Sequence, residues 1–531
     1  MTTRLERLAD EWAIRDTLAR YWRGIDRRDP ELVASTYHPG AYDDHGYFKG
    51  PVEGFVETLA PMVWAFFEKT QHFSGHIAVD LDPTDPDRAV AESYAEAHHI
   101  RRDEHAAQSD LIYGLRYVDV FERREGEWRI AHRVCTWDWA RTDPCGGIPL
   151  AESYARGFES HQDAVFAHPV RVGRPDEPRV LAIKQSCLDT LARYTRGVDR
   201  CDLELVASTY HPDAHDDHGG YQGDARGFVE WVKPTVMDTF TCTMHKLGNQ
   251  LIVVDGAPGS ERAFAETYAI AHHVLGDAEE PTDLVMGARY VDELEDRGDG
   301  WKIADRRMTF EWERSVAIGS QAEYPGFSRG QRDGSDPVVS SGARASVPAD
   351  THVQLDAAAD RAEIYAVLVR YCRGVDRRDP AMIRSTYHAD AFDDHGSYRG
   401  DLDGFVTFVE KEVWSRFRTT MHKLGQALIE VDGDSAASET WAICHHVAAE
   451  KGRDTTDSVM GIRYLDRFER RDGEWRIARR ELRWEWIRHD ALDPLDESWT
   501  HGTASRDDPV FHPERLAIDD PTNHPERSAI E

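Results

Sequence analysis

Residues that can move protons recur in register along the chain. An aspartate is followed 46 residues later by a histidine, and an arginine that comes five residues after a tryptophan recurs with them. A carboxylate that orients an imidazole and stabilises its charged form makes that imidazole a general base, and the pair needs no metal. The spacing therefore predicts three general-base sites. The recurring residues are Asp26, His72 and Arg133; Asp199, His245 and Arg306; and Asp376, His422 and Arg480.

The sequence around these positions recurs as well, so each copy is expected to be a whole domain. The motif Tyr-x-Arg-Gly-x-Asp ends at Asp26, Asp199 and Asp376, and the copies therefore lie 173 and then 177 residues apart. Each copy continues through Ser-Thr-Tyr-His into Asp-Asp-His-Gly. A unit of this length far exceeds a solenoid repeat. The chain is therefore predicted to contain three homologous domains in tandem.

The first copy shows which elements must position these residues. Apolar residues at helical spacing predict a helix over residues 4–24, and Pro30 opens a short second helix that runs through Tyr37. Residues 41–50 are typical of turns, and residues 54–69 predict a third helix. The apolar period then changes to two, which is typical of strands and gives an α+β domain. The predicted strands are residues 70–81, 88–101, 109–124 and 127–140.

Composition along the chain sets the expected domain boundaries. Segments rich in Pro, Gly, Ser and Asp separate the domains, and an Asp-x-Val motif recurs in them at Asp163, Asp336 and Asp508. A recurring motif indicates an arm that belongs to each unit and docks on something, unlike a Gly/Ser spacer. We expect domains at 1–142, 178–317 and 357–490, connecting arms at 143–177 and 318–356, and a C-terminal arm at 491–531.

Charge and cysteine usage narrow the location and the partners. The formal net charge of −33 repels phosphate, so nucleic acid and anionic membranes are not expected as partners. No apolar run approaches the roughly 20 residues that cross a bilayer, and the N-terminus lacks the apolar core of a signal peptide. The seven cysteines do not recur at matched positions, as a disulfide or zinc framework would. We expect a reduced, cytoplasmic protein.

Several stretches of the unit resemble one known family. The unit is similar to the SnoaL-like domains of the NTF2-like superfamily, and most of all to their scytalone dehydratase and lindane dehydrochlorinase branch. The resemblance implies cone-shaped domains in which N-terminal helices pack on a curved, mostly antiparallel sheet. Relatives are often trimers of single domains, which implies that the three domains of one chain associate as an intramolecular pseudo-trimer. The stretches are Arg4 to Ala9, Gly24 to Asp26, Tyr47 to Gly54, Thr70 to His72 and Asp119 to Ile130.

The same resemblance implies a reaction and its residues. In that branch an Asp–His pair lines a conical pocket and removes a proton beside a leaving group, without metal or cofactor. The dehydrochlorinase adds an arginine. These roles are carried onto Asp26, His72 and Arg133 and onto their counterparts in the other two units. The expected substrate is a small apolar or cyclic molecule.

A dehydratase needs an acid as well as a base, because a departing hydroxide must be protonated and a departing halide need not be. The tyrosine five residues before each aspartate is one candidate, as in the bile-acid dehydratase of this superfamily. A strand histidine is the other, similar to the second histidine of scytalone dehydratase. From each adjacent pair we choose the histidine in phase with Tyr94, Tyr268 and Trp441. The candidates are Tyr21, Tyr194 and Tyr371, with His98, His272 and His445.

Structural interpretations stand beside these functional ones. The aspartates could cap the next helix, the histidines could bond the first strand, and the arginines could pair with acidic neighbours. The string Asp43-Asp44-His45 is expected to bend a loop rather than to bind metal. Two functional classes follow. The first is a cofactor-independent lyase, most of all a dehydratase of a cyclic hydroxylated compound, with an isomerase or dehalogenase on the same pocket as variants. The second is a non-catalytic binding or scaffold protein.

Overall fold

The computed structural model of the protein describes three units that are built alike. It covers residues 3–102, 107–145, 156, 163, 176–276, 280–318, 331–332, 336, 351–450, 453–495, 500–501, 503–504 and 508. Unit 1 contains α1 (Arg4–Asp26), α2 (Pro30–Ser35), β1 (Tyr37–Asp44), β2 (Lys49–Pro51), α3 (Val52–Leu59), β3 (Lys69–Leu81), β4 (Arg88–Arg102), β5 (Gln108–Arg124) and β6 (Glu127–Pro144).

Units 2 and 3 repeat this order. Unit 2 contains α4 (Pro178–Asp199), α5 (Leu203–Ser208), β7 (Tyr210–Asp217), β8 (Gln222–Asp224), α6 (Ala225–Val232), β9 (Cys242–Asp255), β10 (Arg262–Leu275), β11 (Thr282–Asp296) and β12 (Trp301–Ala317). Unit 3 contains α7 (Thr351–Asp376), α8 (Pro380–Ser385), β13 (Tyr387–Asp394), β14 (Arg399–Asp401), α9 (Leu402–Phe408), β15 (Thr419–Asp432), β16 (Ser435–Glu450), β17 (Arg453–Arg471) and β18 (Glu474–Ala491).

The long first helix carries the catalytic candidate at its last residue. Thr3 and Glu6 form a capping box at the start of α1, and Asp26 ends the helix. Asp29 then accepts a hydrogen bond from the backbone N–H of Leu32 and caps α2, with proline at the first helical position. The aspartate that caps α2 is therefore Asp29, and the carboxylate of Asp26 is left for another partner.

Each unit contains one six-stranded sheet, in the order β2-β1-β6-β5-β4-β3 in unit 1 and in the matching order in units 2 and 3. All neighbours are antiparallel except β1 and β6, which are parallel. This sheet, with the helices before it, confirms the predicted α+β class. Small residues on β4, Ala91 and Ala95 among them, are fully buried under the helices and let these approach the sheet closely.

Two elements of the predicted unit differ from the structure. Residues 41–50 lie mostly in strands, because Tyr37–Asp44 pairs with β6 on one side and with β2 on the other. The second helix therefore ends before Tyr37. The predicted helix over residues 54–69 ends early: α3 stops at Leu59, and a five-residue π-helical turn, Ala60–Trp64, follows it.

The three units pack in a closed cycle. The first helix of each unit contacts the first long strand of the next, so that α1 packs on β9, α4 on β15 and α7 on β3. An arginine of that helix pairs with a buried glutamate of the next unit, and the three pairs are Arg23–Glu266, Arg196–Glu439 and Arg373–Glu92. The contacts match the expected intramolecular pseudo-trimer, because each unit presents equivalent surfaces to its two neighbours.

The predicted arms lie largely outside the described residues, but their recurring aspartates are described. Each aspartate is buried and binds an arginine of the following unit, which also pairs with two acidic residues of its own unit. The pairs are Asp163–Arg289, Asp336–Arg463 and Asp508–Arg116, at 2.6, 2.7 and 2.7 Å. The last arm thus returns to unit 1 and closes the cycle. Among the described helices, none combines the length and apolarity that a membrane span needs.

Candidate functional site

In each unit the end of the first helix meets the start of the first long strand, and there the predicted dyad forms. Asp26 Oδ1 lies 2.7 Å from Nδ1 of His72, and Asp26 Oδ2 accepts a hydrogen bond of 2.9 Å from the His72 backbone N–H. The Thr70 hydroxyl donates to the same carboxylate at 2.8 Å. The corresponding Asp–His distances are 2.7 Å for Asp199 with His245 and 2.6 Å for Asp376 with His422.

The surroundings keep the dyad carboxylate ionised. Asp26 is fully buried, and burial alone raises the pKa of a carboxyl group. The contact with His72 and the nearby Arg27 outweigh burial, and the pKa of Asp26 falls below its ordinary value. The pKa values of Asp199 and Asp376 are lowered for the same reasons. Each imidazole is therefore held through Nδ1 by an anion, and the aspartate does not occupy its Nε2.

A second histidine lies beside each dyad. The rings of His72 and His99 meet edge to face at 5.4 Å, and the rings of His99 and Tyr113 meet in the same way at 5.6 Å. The matching pairs are His245 with His273 and His422 with His446, at 5.1 and 5.3 Å. Burial, followed by the neighbouring dyad histidine, lowers the pKa of His99, His273 and His446 to about 3. These second histidines are therefore neutral near pH 7.

The choice of His98, His272 and His445 for the pocket is corrected by this geometry. His98 lies on the opposite face of β4, bonds Asp110 at 2.6 Å and stacks on Trp312 of unit 2 at 4.2 Å. His272 and His445 likewise contact Trp486 and Trp139 of the neighbouring units. The error lies in the reference residues: the aromatic residue Trp441, used to set the phase, itself points to the neighbouring unit.

Trp441, at the interface between units, contacts the dyad of unit 2. The indole N–H of Trp441, in unit 3, donates to Asp199 Oδ2 at 3.3 Å. The dyad aspartate of unit 2 therefore has one hydrogen-bond donor that another unit supplies. Formation of the cycle and the electrostatics of this site are coupled.

The predicted arginines are buried in the core rather than against the dyad. Arg133 forms two hydrogen bonds with Asp119, at 2.6 and 2.8 Å, and a third with the Tyr37 hydroxyl. Its guanidinium lies 4.0 Å from the ring centre of Tyr21 and 4.5 Å from that of Tyr117. Arg306 and Arg480 make the same paired bonds with Asp292 and Asp466. The described contacts thus give these arginines a charge-pairing role in the core.

The tyrosine candidates belong to a hydrogen-bonded relay that the sequence interpretation missed. The Tyr21 hydroxyl lies 3.0 Å from Nε2 of His45, and Nδ1 of that ring bonds Asp43. The other oxygen of Asp43 accepts a bond of 2.7 Å from Tyr37. The relay recurs as Tyr194–His218–Asp216 and Tyr371–His395–Asp393. The signal was present in the repeated Asp-Asp-His-Gly string, where only the second aspartate bends the loop.

Burial keeps the tyrosine of this relay in its protonated form. Burial raises the pKa of Tyr21 well above its ordinary value, although the Arg133 charge acts against burial. The pKa values of Tyr194 and Tyr371 shift in the same direction. Each of these phenols therefore keeps its proton and can act as a hydrogen-bond donor. Within the described part of the chain, no group of three or more His, Cys, Asp or Glu side chains could hold a metal ion.

Comparison with known proteins gives one consistent result. The model of the SnoaL-like domain matches residues 6–134, 179–307 and 356–481. An uncharacterised protein of Mycobacterium tuberculosis is 32% identical over 124 residues, which make up 23% of this chain and 82% of that protein. An uncharacterised protein of Mycobacterium bovis matches to the same extent.

Solved structures also align with single units. A hexachlorocyclohexane dehydrochlorinase of Novosphingobium barchaimii is 25% identical, covers 27% of this chain and 95% of its own, and has a TM-score of 0.23. A protein of Kribbella flavida is 20% identical, covers 25% of this chain and 95% of its own, and also has a TM-score of 0.23.

Proposed function

The chain belongs to the SnoaL-like domain family, of which it carries three tandem copies, and from that membership and the dyad geometry we propose that it is a cofactor-independent lyase. The reaction is the dehydration of a cyclic, largely apolar hydroxylated molecule. The observation that carries the proposal is the Asp–His pair, which recurs at 2.6–2.7 Å in all three units. A structural pair has no need of a second neutral histidine beside it in every copy.

The dyad histidine is the base. With Nδ1 bound to the aspartate, Nε2 of His72 takes the proton from the carbon next to the one that carries the hydroxyl group. The carboxylate of Asp26 stabilises the imidazolium that forms and keeps the ring in place. His72 retains 9% of its side-chain surface exposed, whereas Asp26 retains none, so the base is the more accessible partner.

The tyrosine of the relay is the proposed acid. Tyr21 retains its proton because it is buried, and His45 behind it can return a proton after each turnover. Tyr21 lies five positions before Asp26 in the same helix, and the helix axis rises about 7.5 Å between them. A ring-sized substrate can bridge that distance, with its acidic carbon at His72 and its hydroxyl group toward Tyr21. His99, neutral and beside the dyad, can bind the same hydroxyl group as a hydrogen-bond donor.

The aromatic residues near the dyad favour an apolar ring as substrate. Phe67, Tyr113 and Trp137 form a chain of ring contacts that runs through His99 to His72. Aromatic walls with a few convergent polar groups are typical of sites for small apolar ligands. A β-hydroxy ketone fits, because the carbonyl group acidifies the carbon from which the proton is removed.

A panel of cyclic β-hydroxy ketones with terpenoid, steroid and polyketide skeletons tests the proposal, with enone absorbance as the readout. The triple variant His72→Gln, His245→Gln, His422→Gln should lose a factor of about 10²–10⁴ in rate, the contribution of a positioned base. The matched control replaces three other recurring histidines, His38, His211 and His388, which bond backbone carbonyl groups. The control should keep its turnover.

A folded dyad variant with full turnover would show that the dyads are not the bases. If no compound of the panel reacts, but one binds equally well to wild type and to the dyad variant, the chain is a small-molecule-binding protein instead.

A further inference from the structure

The first helices of the three units contact one another and enclose a cavity near the centre of the cycle. Its volume is about 170 Å³. Side chains of α1 spaced three or four residues apart line one side of it, because residues at this spacing share one face of a helix. None of the dyad or relay residues belongs to the described lining, so this cavity is separate from the three sites above. The residues from α1 are Leu8, Glu11, Trp12, Arg15, Ala19 and Trp22.

Bulges in β3, β9 and β15 line the same cavity and bring the three units close together there. A Cβ added to Gly248 would lie 2.6 Å from the carbonyl oxygen of Ser74 in unit 1. A Cβ added to Gly425 would lie 3.0 Å from the carbonyl oxygen of Leu247 in unit 2, and Gly75 packs on the backbone of unit 3 in the same way. The three bulges therefore close on one another, and the cavity is built by all three units together.

Equivalent positions around the cavity carry different side chains in the three units. In a trimer of identical chains, a cavity on the symmetry axis has three identical sides. In this chain the sides differ, so the cavity is asymmetric and gives one site per chain, in contrast to the three dyads. The counterparts that line it are Trp12, Gln185 and Ala362 at one helix position, and Arg15, Leu188 and Tyr365 at the next.

Three side chains of the lining carry buried N–H donors for which the described residues supply no acceptor. These are the indole Nε1 of Trp22 and the amide nitrogens of Asn249 and Gln250. Trp22 is fully buried, and Asn249 is 7% exposed. The oxygen of Asn249 accepts a bond of 3.1 Å from the backbone N–H of Ser74, which fixes the amide. A buried donor without an acceptor costs free energy, so three of them around one cavity favour a ligand with acceptor oxygens.

Two arginines give the lining an excess of positive charge. Arg15 and Arg361 each donate to a backbone carbonyl oxygen at 3.0 Å, which holds the guanidinium groups in place. Arg361 also lies 3.7 Å from Asp189. Among the described residues that line the cavity, the one carboxylate is that of Glu11. Guanidinium groups bind carboxylates through paired, charge-assisted hydrogen bonds, so the charge favours an anionic ligand.

We infer that this cavity is a further binding site, one per chain, for a small carboxylate that carries a single ring. An apolar cavity of about 150 Å³ in another protein holds benzene, so a cavity of about 170 Å³ has room for one ring. The ring packs against Trp12, Trp22 and Tyr365, and the carboxylate accepts hydrogen bonds from Arg15 and the buried amide donors. The site goes beyond the dehydration proposed for the dyads and does not depend on it.

Isothermal titration calorimetry of the full-length chain tests the inference, with benzoate as the probe and benzamide as its uncharged counterpart. Benzoate should bind with a stoichiometry of one per chain. Benzamide should bind about 10-fold more weakly or worse, because hydrogen bonds to a charged partner are the stronger ones.

Variants that copy one unit onto another locate the site. Arg15→Leu introduces the side chain of Leu188 and should weaken benzoate binding by about 10-fold or more. Ala362→Trp introduces the side chain of Trp12, fills the cavity and should abolish binding. The matched control Arg226→Leu removes one exposed positive charge outside the lining and should leave the affinity unchanged.

The dyad variant His72→Gln, His245→Gln, His422→Gln separates this cavity from the dyads. It should still bind one benzoate per chain with the wild-type affinity, whether or not the dyads catalyse dehydration. Circular dichroism checks that each variant is folded. Four results would each overturn the inference: no saturable binding of benzoate, three benzoates per chain, equal affinity for benzamide, or unchanged affinity in folded Arg15→Leu.

Discussion

Two Asp–His pairs lie on opposite faces of the sheet in each unit: the dyad, whose histidine is on the first long strand, and a second pair formed between the next two strands. On the concave face His99 lies beside the dyad, and His72 bonds Asp26 at 2.7 Å. On the other face the adjacent residue His98 bonds Asp110 at 2.6 Å and is stacked on Trp312 of the next unit. The hydrogen bonds are nearly equal in length, but the surroundings differ. A carboxylate–imidazole pair becomes a base only where its second nitrogen meets a substrate; between packed units the same pair joins surfaces.

Removal of the dyad carboxylates should cause the largest loss of turnover. The triple variant Asp26→Asn, Asp199→Asn, Asp376→Asn keeps the hydrogen-bond acceptor but loses the charge that stabilises the imidazolium. Turnover of a β-hydroxy ketone should fall by about 10²–10⁴-fold. Each single variant should keep the turnover that the other two units supply. Circular dichroism checks that the variants are folded, and rate measurements compare their turnover. Full turnover in the folded triple variant would contradict a catalytic role for the concave pairs.

On the face of the sheet that packs between units, replacement of a buried arginine that binds several carboxylates should cause the largest loss of stability. Arg289 binds Glu266 and Glu311 of its own unit and Asp163 of the preceding arm. Arg289→Met leaves three buried carboxylates without their shared cation and should lower the free energy of unfolding by about 3–5 kcal/mol. Urea denaturation measures this loss. Arg297→Met, at an exposed pair, should leave the urea midpoint almost unchanged. Equal losses for both would contradict the charge-centre interpretation.

Variants of the two adjacent histidines on β4, His98 and His99, test the two faces of the sheet separately. His98→Phe keeps an aromatic ring against Trp312 but removes the imidazole partner of Asp110, and should cost about 1–3 kcal/mol with little effect on turnover. His99→Phe should affect turnover in unit 1 and leave the interface intact. Thermal unfolding and rates in a background with the other two dyads inactivated separate the two effects. A loss of turnover in His98→Phe together with a loss of stability in His99→Phe would contradict this assignment of the two faces.

Acid should weaken the fold gradually through the neutral buried histidines. Burial lowers the pKa of His99, His273 and His446 to about 3, and that of His445 to about 4. Above the unfolded value of about 6.5 both states are neutral, so the groups have no effect. Below it the unfolded chain binds protons that the folded chain does not, and stability falls as the pH drops toward 4. Thermal unfolding between pH 7 and 4 measures this, and a midpoint that rises over the same range would contradict it.

Much of this arrangement follows from the sequence, and the exceptions have physical reasons. The dyad could be predicted because Asp26 and His72 recur at a fixed separation, and strand bounds followed from the change in period. The face on which His98 lies could not be predicted, because neighbouring strand residues point to opposite sides of the sheet. The sequence of one unit does not show which side packs on another unit. The pair of Asp43 and His45 was missed because a two-residue spacing next to glycine is typical of a turn.

The most direct test of the central claim restores the proposed bases one at a time. In the inactive background His72→Gln, His245→Gln, His422→Gln, each histidine is returned singly, and turnover of the same β-hydroxy ketone is measured. His72 alone or His245 alone should recover up to about one third of the wild-type rate, as expected for equivalent and independent sites. An unchanged, inactive protein after either restoration, or full activity already in the background, would contradict the claim that the concave Asp–His pairs are the catalytic bases.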